Sequence, residues 1–596
     1  MTFRRLAEYL QRLEETPLRN KMTQILSELF GEAKNREIGK ICYLLLGRLA
    51  PLYQTIEFGL GERMIIRAIA DGLYKEAATV TKKFKKSGDL GITVEQIKNI
   101  SGFNKGKALS LNDVYEALMT IAIASGTGSQ EQKIKKLGEL IQEVDSLSAR
   151  YIVRIPIGKL RLGFSDMTIL DSLSFLINGT KKHRPVIERA YNLRADIGFI
   201  ASVVKGEGIE KLEGIQPQVG TPILMARAER MSSSKEIIDK IGKGAIEAKY
   251  DGFRIQAHLK RNKKKGSNEF IKLYSRNLED VTLMYPDIVE GLKQQIKADE
   301  AIIEGEAVAY NPNTGEYLPF QETVQRKRKY DIEAKAKEIP LKLFVFELLF
   351  KNRKSYINDW YEIRKKELKK TVGRGETILF APEEVTDNPK RLEEIFQDAV
   401  SRGLEGVMAK KLDGVYRAGA RDFSWIKFKR SYAGKLTDTI DAVVMGYDFG
   451  QGKRAGFGIG DFLIGVYDNQ SDMFLTIAKI GTGLTDEEWR AIKVRSDKLK
   501  VNGKPLNYEV DKIMDCDIWI APEIVVEIRA DEITRSPVHT AGRIMGPSKS
   551  GSAIEVKEAG LALRFPRLEK FRDDKTPTDA TTLKELKEML KKQKKL

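Results

Sequence analysis

Glu247-Ala-Lys249-Tyr-Asp251-Gly252-Phe-Arg254 decides how this chain reads. A strand runs into an Asp-Gly turn, and a lone lysine stands just before the turn. Read as local structure alone, the stretch predicts a β-hairpin with ordinary surface charges. Its chemistry suggests more. A lysine amine is a nucleophile only when neutral, and its reference pKa is ~10.4. Neighbouring cations such as Arg254, or a bound metal, disfavour the charged form. Such a lysine can attack a phosphorus atom, and a glycine beside it lets a phosphate or ribose approach the backbone.

Outward from this stretch, Phe270 to Ser275, Ala301 to Tyr310 and Leu341 to Leu349 are short, often alternating and rich in Ile, Val, Phe and Tyr, as strands are. Helical patches lie between and after them, at Asp280 to Ile296 and Asn388 to Arg402. The block is α+β. N-terminal to it, Lys205 to Pro222 is dense in Gly and Pro and reads as a linker. Residues 1 to about 215 read as helical. Val114, Ala117, Leu118, Ile121 and Ala122 share one helical face, with Asn112 as the expected N-cap. Ile38 to Leu49 and Met167 to Leu176 are similar. From about Ser431 short strands alternate with glycine turns, which suits a small β-barrel. Leu583, Leu586 and Leu590 mark one face of a terminal helix carrying six lysines, expected to be solvated.

The 596 residues carry 102 Lys+Arg against 84 Asp+Glu, a net charge of +18. Such an excess points to a polyanionic partner. Two cysteines, Cys42 and Cys516, supply neither a disulfide framework nor a four-cysteine zinc site, and a reducing compartment is expected. No apolar stretch approaches the ~18 residues of a membrane span, and the first residues carry no apolar signal region. The expectation is a soluble cytoplasmic protein.

Further motifs follow in order. Lys249-Tyr-Asp-Gly-Phe-Arg254 resembles the Lys-x-Asp-Gly-x-Arg motif of the covalent nucleotidyltransferases: DNA ligases, RNA ligases and mRNA capping enzymes. Tyr274-Ser-Arg276-Asn, Ile303-Glu304-Gly-Glu306 and Phe344-Val-Phe346-Glu347 are similar to the next three, although the family often has Asp where Glu347 stands. Glu405-Gly-Val-Met-Ala-Lys410 and Arg421-Asp-Phe-Ser-Trp425-Ile-Lys427-Phe-Lys429 resemble the last two elements of the adenylation domain. Arg564-Phe-Pro-Arg567, followed by Arg572-Asp-Asp574-Lys575, resembles the closing motif of ATP-dependent DNA ligases of the archaeal and eukaryotic type. The resemblance covers essentially the whole chain.

That resemblance implies a multidomain protein: an all-α DNA-binding domain over 1–215, an α+β adenylation domain over 216–430, and an OB-fold barrel over 431–596. It implies Lys249 as the nucleophile. Glu247, Arg254, Arg276, Glu306, Phe346, Lys410, Arg421, Lys427 and Lys429 would bind ATP with it, Phe346 by stacking on the base. Glu306 and Glu405 would hold Mg²⁺, with Glu304 on the same strand face able to share that task. Lys427 and Lys429, one strand face apart by two residues, would stabilise the α-phosphate and the departing pyrophosphate. Arg564, Arg567, Arg572 and Lys575 would orient pyrophosphate, with a hinge near Lys429 to Gly434.

The implied reaction seals nicks in duplex DNA through a Lys–AMP and then a 5′-adenylylated DNA intermediate. Arg150, Arg154, Lys159 and Arg161 are expected phosphate contacts, as are Lys453 and Arg454; the loop Lys260 to Lys265 reads as solvated. The expected partner is nicked duplex DNA, with a sliding clamp as a further candidate, for a monomeric, chromosome-associated protein. The alternatives are an RNA ligase or capping-type nucleotidyltransferase, or a non-catalytic OB-containing DNA-binding protein. An NAD-using ligase is disfavoured, since that family's four-cysteine zinc cluster is missing.

Overall fold

The computed structural model describes all residues except 17, 101, 103, 104, 159, 161, 163, 263–268, 319, 329, 430–438, 451, 483, 548–553 and 596. They form two compact units, Met1–Phe428 and Lys429–Leu596.

The first unit opens with helices from Phe3–Glu14 to Glu210–Glu213. The helix Leu111–Ile123 buries Val114, Leu118, Ile121 and Ala122, the face expected from their spacing. Its cap is Ser110, not Asn112. The Ser110 hydroxyl accepts from the Asp113 amide and the Asp113 carboxylate accepts from the Ser110 amide, each at 3.1 Å. A reciprocal box satisfies two orphan donors where Asn112 would satisfy one. The expected helix Asp280 to Ile296 shortens to Pro286–Gln295. A proline suits a first helical turn but disfavours helix before it.

Arg154 is an interior brace, which overturns its reading as a DNA contact; Arg150 beside it is half-buried and paired. Arg154 has no exposed surface and bonds Glu14 at 2.8 Å and Asp89 at 3.1 Å. Arg150 reaches Glu14 at 2.9 Å and Glu95 at 3.3 Å. A buried guanidinium persists only with carboxylates around it, and that demand sets their place. Lys159, Arg161 and Lys263 to Lys265 lie outside the described residues, as does the side chain of Lys453. The stretch Lys205 to Pro222 is packed, with Leu212 and Ile215 buried. The helical core runs on through Ile223 to Ile302, Leu349 and Phe350 in one apolar cluster.

Eleven strands follow: β1 (Arg227–Arg230), β2 (Gly244–Lys249), β3 (Phe253–Lys260), β4 (Phe270–Ser275), β5 (Glu300–Ala309), β6 (Leu341–Lys351), β7 (Lys354–Ser355), β8 (Ile378–Phe380), β9 (Glu383–Thr386), β10 (Gly406–Lys411) and β11 (Arg421–Lys429). They make two sheets, ordered β1-β11-β10-β2-β9 and β4-β3-β5-β6-β7, with β8 also against β6. β2 and β3 are consecutive but belong to different sheets. The stretch around Lys249 is therefore a crossing between sheets, not a hairpin. Gly252 is needed there because a Cβ would stand 2.2 Å from the Ala307 carbonyl oxygen. Tyr250 anchors the crossing by stacking on Phe344, centroids 4.0 Å apart.

The second unit is a sheet domain of the OB type. Ile440–Asp448 pairs with Asp461–Asp468 and Val525–Arg529, and Asp461–Asp468 pairs with Met473–Ile480. The terminal helix Leu583–Lys595 is docked along one side rather than solvated all round. Leu586 is fully buried, and Leu583 and Leu590 pack on the same core. The Gln593 side chain bonds both backbone groups of Ile533, at 2.7 and 3.0 Å. No helix among the described residues is long and apolar enough to cross a membrane.

Candidate active site

The site forms where the chain passes from one sheet to the other. Lys249 ends β2 and Arg254 opens β3, so the crossing places an amine and a guanidinium between two walls. The Lys249 ammonium forms an ion pair with Glu405. The Glu405 amide donates to the Lys249 carbonyl at 3.1 Å, which fixes the carboxylate beside the amine. Glu306 on β5 lies in register with Arg254 on β3. Burial pushes the Glu306 carboxyl above the usual carboxylate range, against the pull of Lys249 and Arg254, while Asp251 adds to the rise. The Gly252 amide donates to it.

Arg254 is held on two sides. It donates to the Ala226 carbonyl and to Glu304, both at 2.6 Å. The second Glu304 oxygen accepts from Gln256 and from the Tyr416 hydroxyl, both at 3.0 Å. Glu304 is thus completely buried and engaged by three donors, so it does not share a metal site with Glu306. The guanidinium carbon lies 5.6 Å from the Phe346 ring and 5.2 Å from Trp425. Phe346, on β6, is half-buried and meets Trp425 edge-on at 5.9 Å.

The cations divide into two groups. Lys410 is fully buried, bonds Glu247 at 2.6 Å, and stands 4.8 Å from the Phe346 ring centre. Across β2 and β10, Gly406 faces Lys249, Met408 faces Glu247 and Lys410 faces Ala245. Lys410 is therefore four residues along the strand from the level of the nucleophile, ~13 Å at the usual strand rise. Lys427, on β11, is part of the other group. Burial lowers its pKa, and Arg421, Lys249, Arg276 and Arg230 lower it further. Arg276 is lowered likewise by burial, Arg254, Arg227 and Arg421. Lys429 closes β11 on the face of Trp425 and Lys427.

Sequence reading missed several supporting residues. Tyr361 and Lys365, on the helix Tyr361–Thr371, bond Glu247 at 2.7 and 2.6 Å. Arg364 forms a bidentate pair with Glu347 at 2.8 and 3.0 Å, both side chains fully buried. That partner accommodates Glu where the family often has Asp. The available signal was spacing: Tyr361, Arg364, Lys365 and Leu368 share one helical face, which is unusual for two cations unless carboxylates meet them. Tyr416 and Gln256 left no comparable signal.

In the second unit the closing-motif cations are each met by a carboxylate. Arg564 bonds Glu532 at 2.8 Å, Arg567 pairs with Asp531, and Arg572 and Lys575 reach Asp441 at 3.0 and 2.7 Å. The expected hinge beyond Lys429 lies outside the described residues.

Comparison with known proteins agrees along the chain. Residues 225–429 match the family described as ATP dependent DNA ligase domain. Residues 2–174 match DNA ligase N terminus, and 455–575 match ATP dependent DNA ligase C terminal region. A "Probable DNA ligase" of Dictyoglomus turgidum is 46% identical over 596 residues, covering 100% of this chain and 98% of that protein. "DNA ligase 2" of Thermofilum pendens is 41% identical, covering 99% and 97%. A solved structure named Pmar-Lig_PreS3 shares the fold at 19% identity and a TM-score of 0.52, over 95% of this chain and 99% of that one. The chain belongs to the ATP-dependent DNA ligase family. As a member it is an enzyme that joins DNA strands using ATP, and the RNA-ligase, capping and non-catalytic alternatives are not favoured.

Proposed function

We propose that the chain seals nicks in duplex DNA in three steps, with Lys249 as the nucleophile. The observation that carries this reading is the position of Lys249 at the sheet crossing, in contact with Glu405 and beside Glu306. The Lys249 amine, once it has lost a proton, attacks the α-phosphorus of ATP. A P–N bond forms and the P–O bond to pyrophosphate breaks. An oxygen of the nick's 5′-phosphate then attacks the AMP phosphorus and the P–N bond to Lys249 breaks; finally the 3′-hydroxyl attacks the 5′-phosphorus, forming the phosphodiester as AMP leaves. Phe346 stacks on the base, and Glu247 faces its edge. Arg254 and Arg276 orient the nucleotide. Lys427, Arg421 and Lys429 lie where negative charge grows on phosphate, and fixed cations stabilise such charge without reorganising.

Glu405, paired with the amine, and Glu306, close enough to feel its charge, supply hard carboxylate oxygens. That donor set fits Mg²⁺, which takes one or two carboxylates and completes its shell with water and phosphate oxygens. Among the described residues no cluster of three such side chains could form a full protein cage. When bound there, the ion would neutralise phosphate charge.

The domain limits 1–215, 216–430 and 431–596, with DNA binding by the first, belong to the same proposal. So do a monomeric, cytoplasmic, chromosome-associated state, recruitment by a sliding clamp, and pyrophosphate orientation by Arg564, Arg567, Arg572 and Lys575. The test is sealing of a nicked DNA duplex and of a matched nicked RNA duplex, each with ATP and Mg²⁺. Sealing of DNA with transient 5′-adenylylated strand is expected; preferential sealing of RNA would contradict it.

A further inference from the structure

Behind Glu247, the group proposed to face the base edge, stands a network of Lys365, Tyr361, Lys410 and Glu383 to which the reaction steps above give no role. Glu247 is almost completely buried, at 2% exposure. One of its oxygens accepts from Lys365 at 2.6 Å and from the Tyr361 hydroxyl at 2.7 Å, and the other pairs with Lys410 at 2.6 Å. A carboxylate has about four lone-pair sites. Three are taken, so one acceptor site remains. The Tyr361 hydroxyl also lies 2.7 Å from Glu383. Its single proton serves one carboxylate at a time, so Lys365 is the constant donor to that oxygen. Lys365 is itself buried and is steadied by Glu383 at 3.4 Å.

The same helix fixes both walls of the pocket. Arg364 clamps Glu347, the residue after Phe346, and Lys365 holds Glu247. We propose that Lys365, assisted by Tyr361, is the positioning residue for base selection: it keeps Glu247 an acceptor aimed at a 6-amino group. This rests on the reading of Phe346 and Glu247 as the base pocket. An adenine 6-amino group donates to the remaining acceptor site. A 6-oxo purine brings a second acceptor to the same place, and two buried acceptors without a proton between them are disfavoured.

Burial alone raises the Glu247 carboxyl, yet Lys410 and Lys365 bring it below the usual range. Without Lys365 one carboxylate oxygen keeps only a shared neutral hydroxyl. The carboxyl then turns toward Lys410 or takes up a proton, and a protonated acid donates to a 6-oxo group.

The experiment measures Lys–AMP and Lys–IMP adduct formation by the full chain from α-labelled ATP and α-labelled inosine triphosphate. Parent, Lys365→Met, Lys365→Arg and Tyr361→Phe are compared, with melting curves to confirm folding. Lys369→Met, which removes an exposed partner of Glu383, is the surface control. For Lys365→Met the ATP-to-inosine preference in kcat/KM should fall at least tenfold, mainly through a higher KM for ATP, with kcat within about threefold. Lys365→Arg should restore most of the preference. Tyr361→Phe, which retains the ring and is the fallback should Lys365→Met not fold, should lower the preference at least threefold.

An unchanged preference in whichever of these two variants folds overturns the proposal. So does an equal loss of both adducts, which a merely structural role would give. Phe346→Ala in the same assay separates this from failure of the pocket itself. If Phe346→Ala leaves the KM for ATP unchanged, the base-pocket reading fails. If it raises the KM while the Lys365 variants keep their preference, only the positioning role fails.

Discussion

The two ends of the proposed nucleotide pocket solve opposite electrostatic problems. At the inner end each cation is matched by a carboxylate inside the fold: Lys410 with Glu247, Lys365 with Glu247 and Glu383, Arg364 with Glu347, Arg254 with Glu304. At the outer end burial lowers the pKa of Lys427 and of Arg276, and neighbouring cations lower both further: Arg421, Lys249, Arg276 and Arg230 for Lys427, and Arg254, Arg227 and Arg421 for Arg276. The inner end is close to neutral before any ligand arrives and is built to hold shape. The outer end carries excess charge that a polyphosphate relieves. A buried pair is strongly destabilising to break, whereas a surplus of like charge is a standing affinity for anions.

Breaking an inner pair should give the largest loss. Glu304→Ala leaves the half-buried Arg254 without its carboxylate, and removing one partner of a buried pair costs about 3–5 kcal/mol, an upper figure here. A large drop in melting temperature of the first unit is expected, together with loss of adduct formation. A melting curve unchanged from the parent would mean that the pair is not held as described.

At the outer end Lys427→Ala should leave the melting temperature near that of the parent, because it relieves repulsion. Its adduct-formation rate should fall by roughly 10²–10³, the usual loss for one fixed group at developing charge. Single-turnover labelling with ATP checks the rate. A stability loss without a rate loss would place Lys427 among the inner, structural cations.

Lys98 sharpens the contrast because it is a buried cation met by carbonyls instead of a carboxylate. It donates to the Ile141 and Gln142 carbonyls at 2.6 and 3.2 Å. Burial lowers its pKa to about 8 from 10.5, whereas Lys365, with Glu247 and Glu383 beside it, is raised despite burial. Between pH 8 and 10.5 the unfolded chain therefore holds more protons at Lys98 than the folded one, and this group makes stability rise with pH. Lys98→Met should remove that rise, a difference of ~2–4 °C in melting temperature between parent and variant. An identical pH dependence in both would show that Lys98 is not desolvated.

The closing motif calls for point variants. Leu561, Leu563, Leu568 and Leu586 are buried in the second unit, so deleting 561–596 would remove part of its core. Arg572→Ala and Lys575→Ala avoid that. They should slow adduct formation at least tenfold, and sealing of a pre-adenylylated nick less. Equal slowing of both would give the motif a purely structural role.

Much of the first unit was legible because strands and helices there follow their apolar spacing. Phe270 to Ser275 is a strand with the bounds read from sequence, and the face of Leu111–Ile123 is the expected one. Motif order singled out Lys249, Glu306, Phe346 and Lys427 over 249–427. What spacing could not supply was partner identity. Nothing local says that Arg154 meets Glu14, 140 residues away, or that Glu304 meets Arg254 and Tyr416 instead of a metal. Nor does an Asp-Gly turn say whether the strands that it joins share a sheet. Glu304 was read as a metal ligand and Arg154 as a phosphate contact, and the buried pairs are where a reading by residue type failed.

The central claim is that Lys249 carries AMP. Incubation of the full chain with ATP and Mg²⁺ in the absence of DNA, followed by digestion and mass mapping of the peptides, tests it most directly. The account predicts an AMP group on the peptide containing Lys249, attached at its side-chain nitrogen, and none in Lys249→Ala or Lys249→Arg, since arginine cannot become a neutral nucleophile. AMP on any other residue, or an adduct of parental yield in either variant, would contradict it.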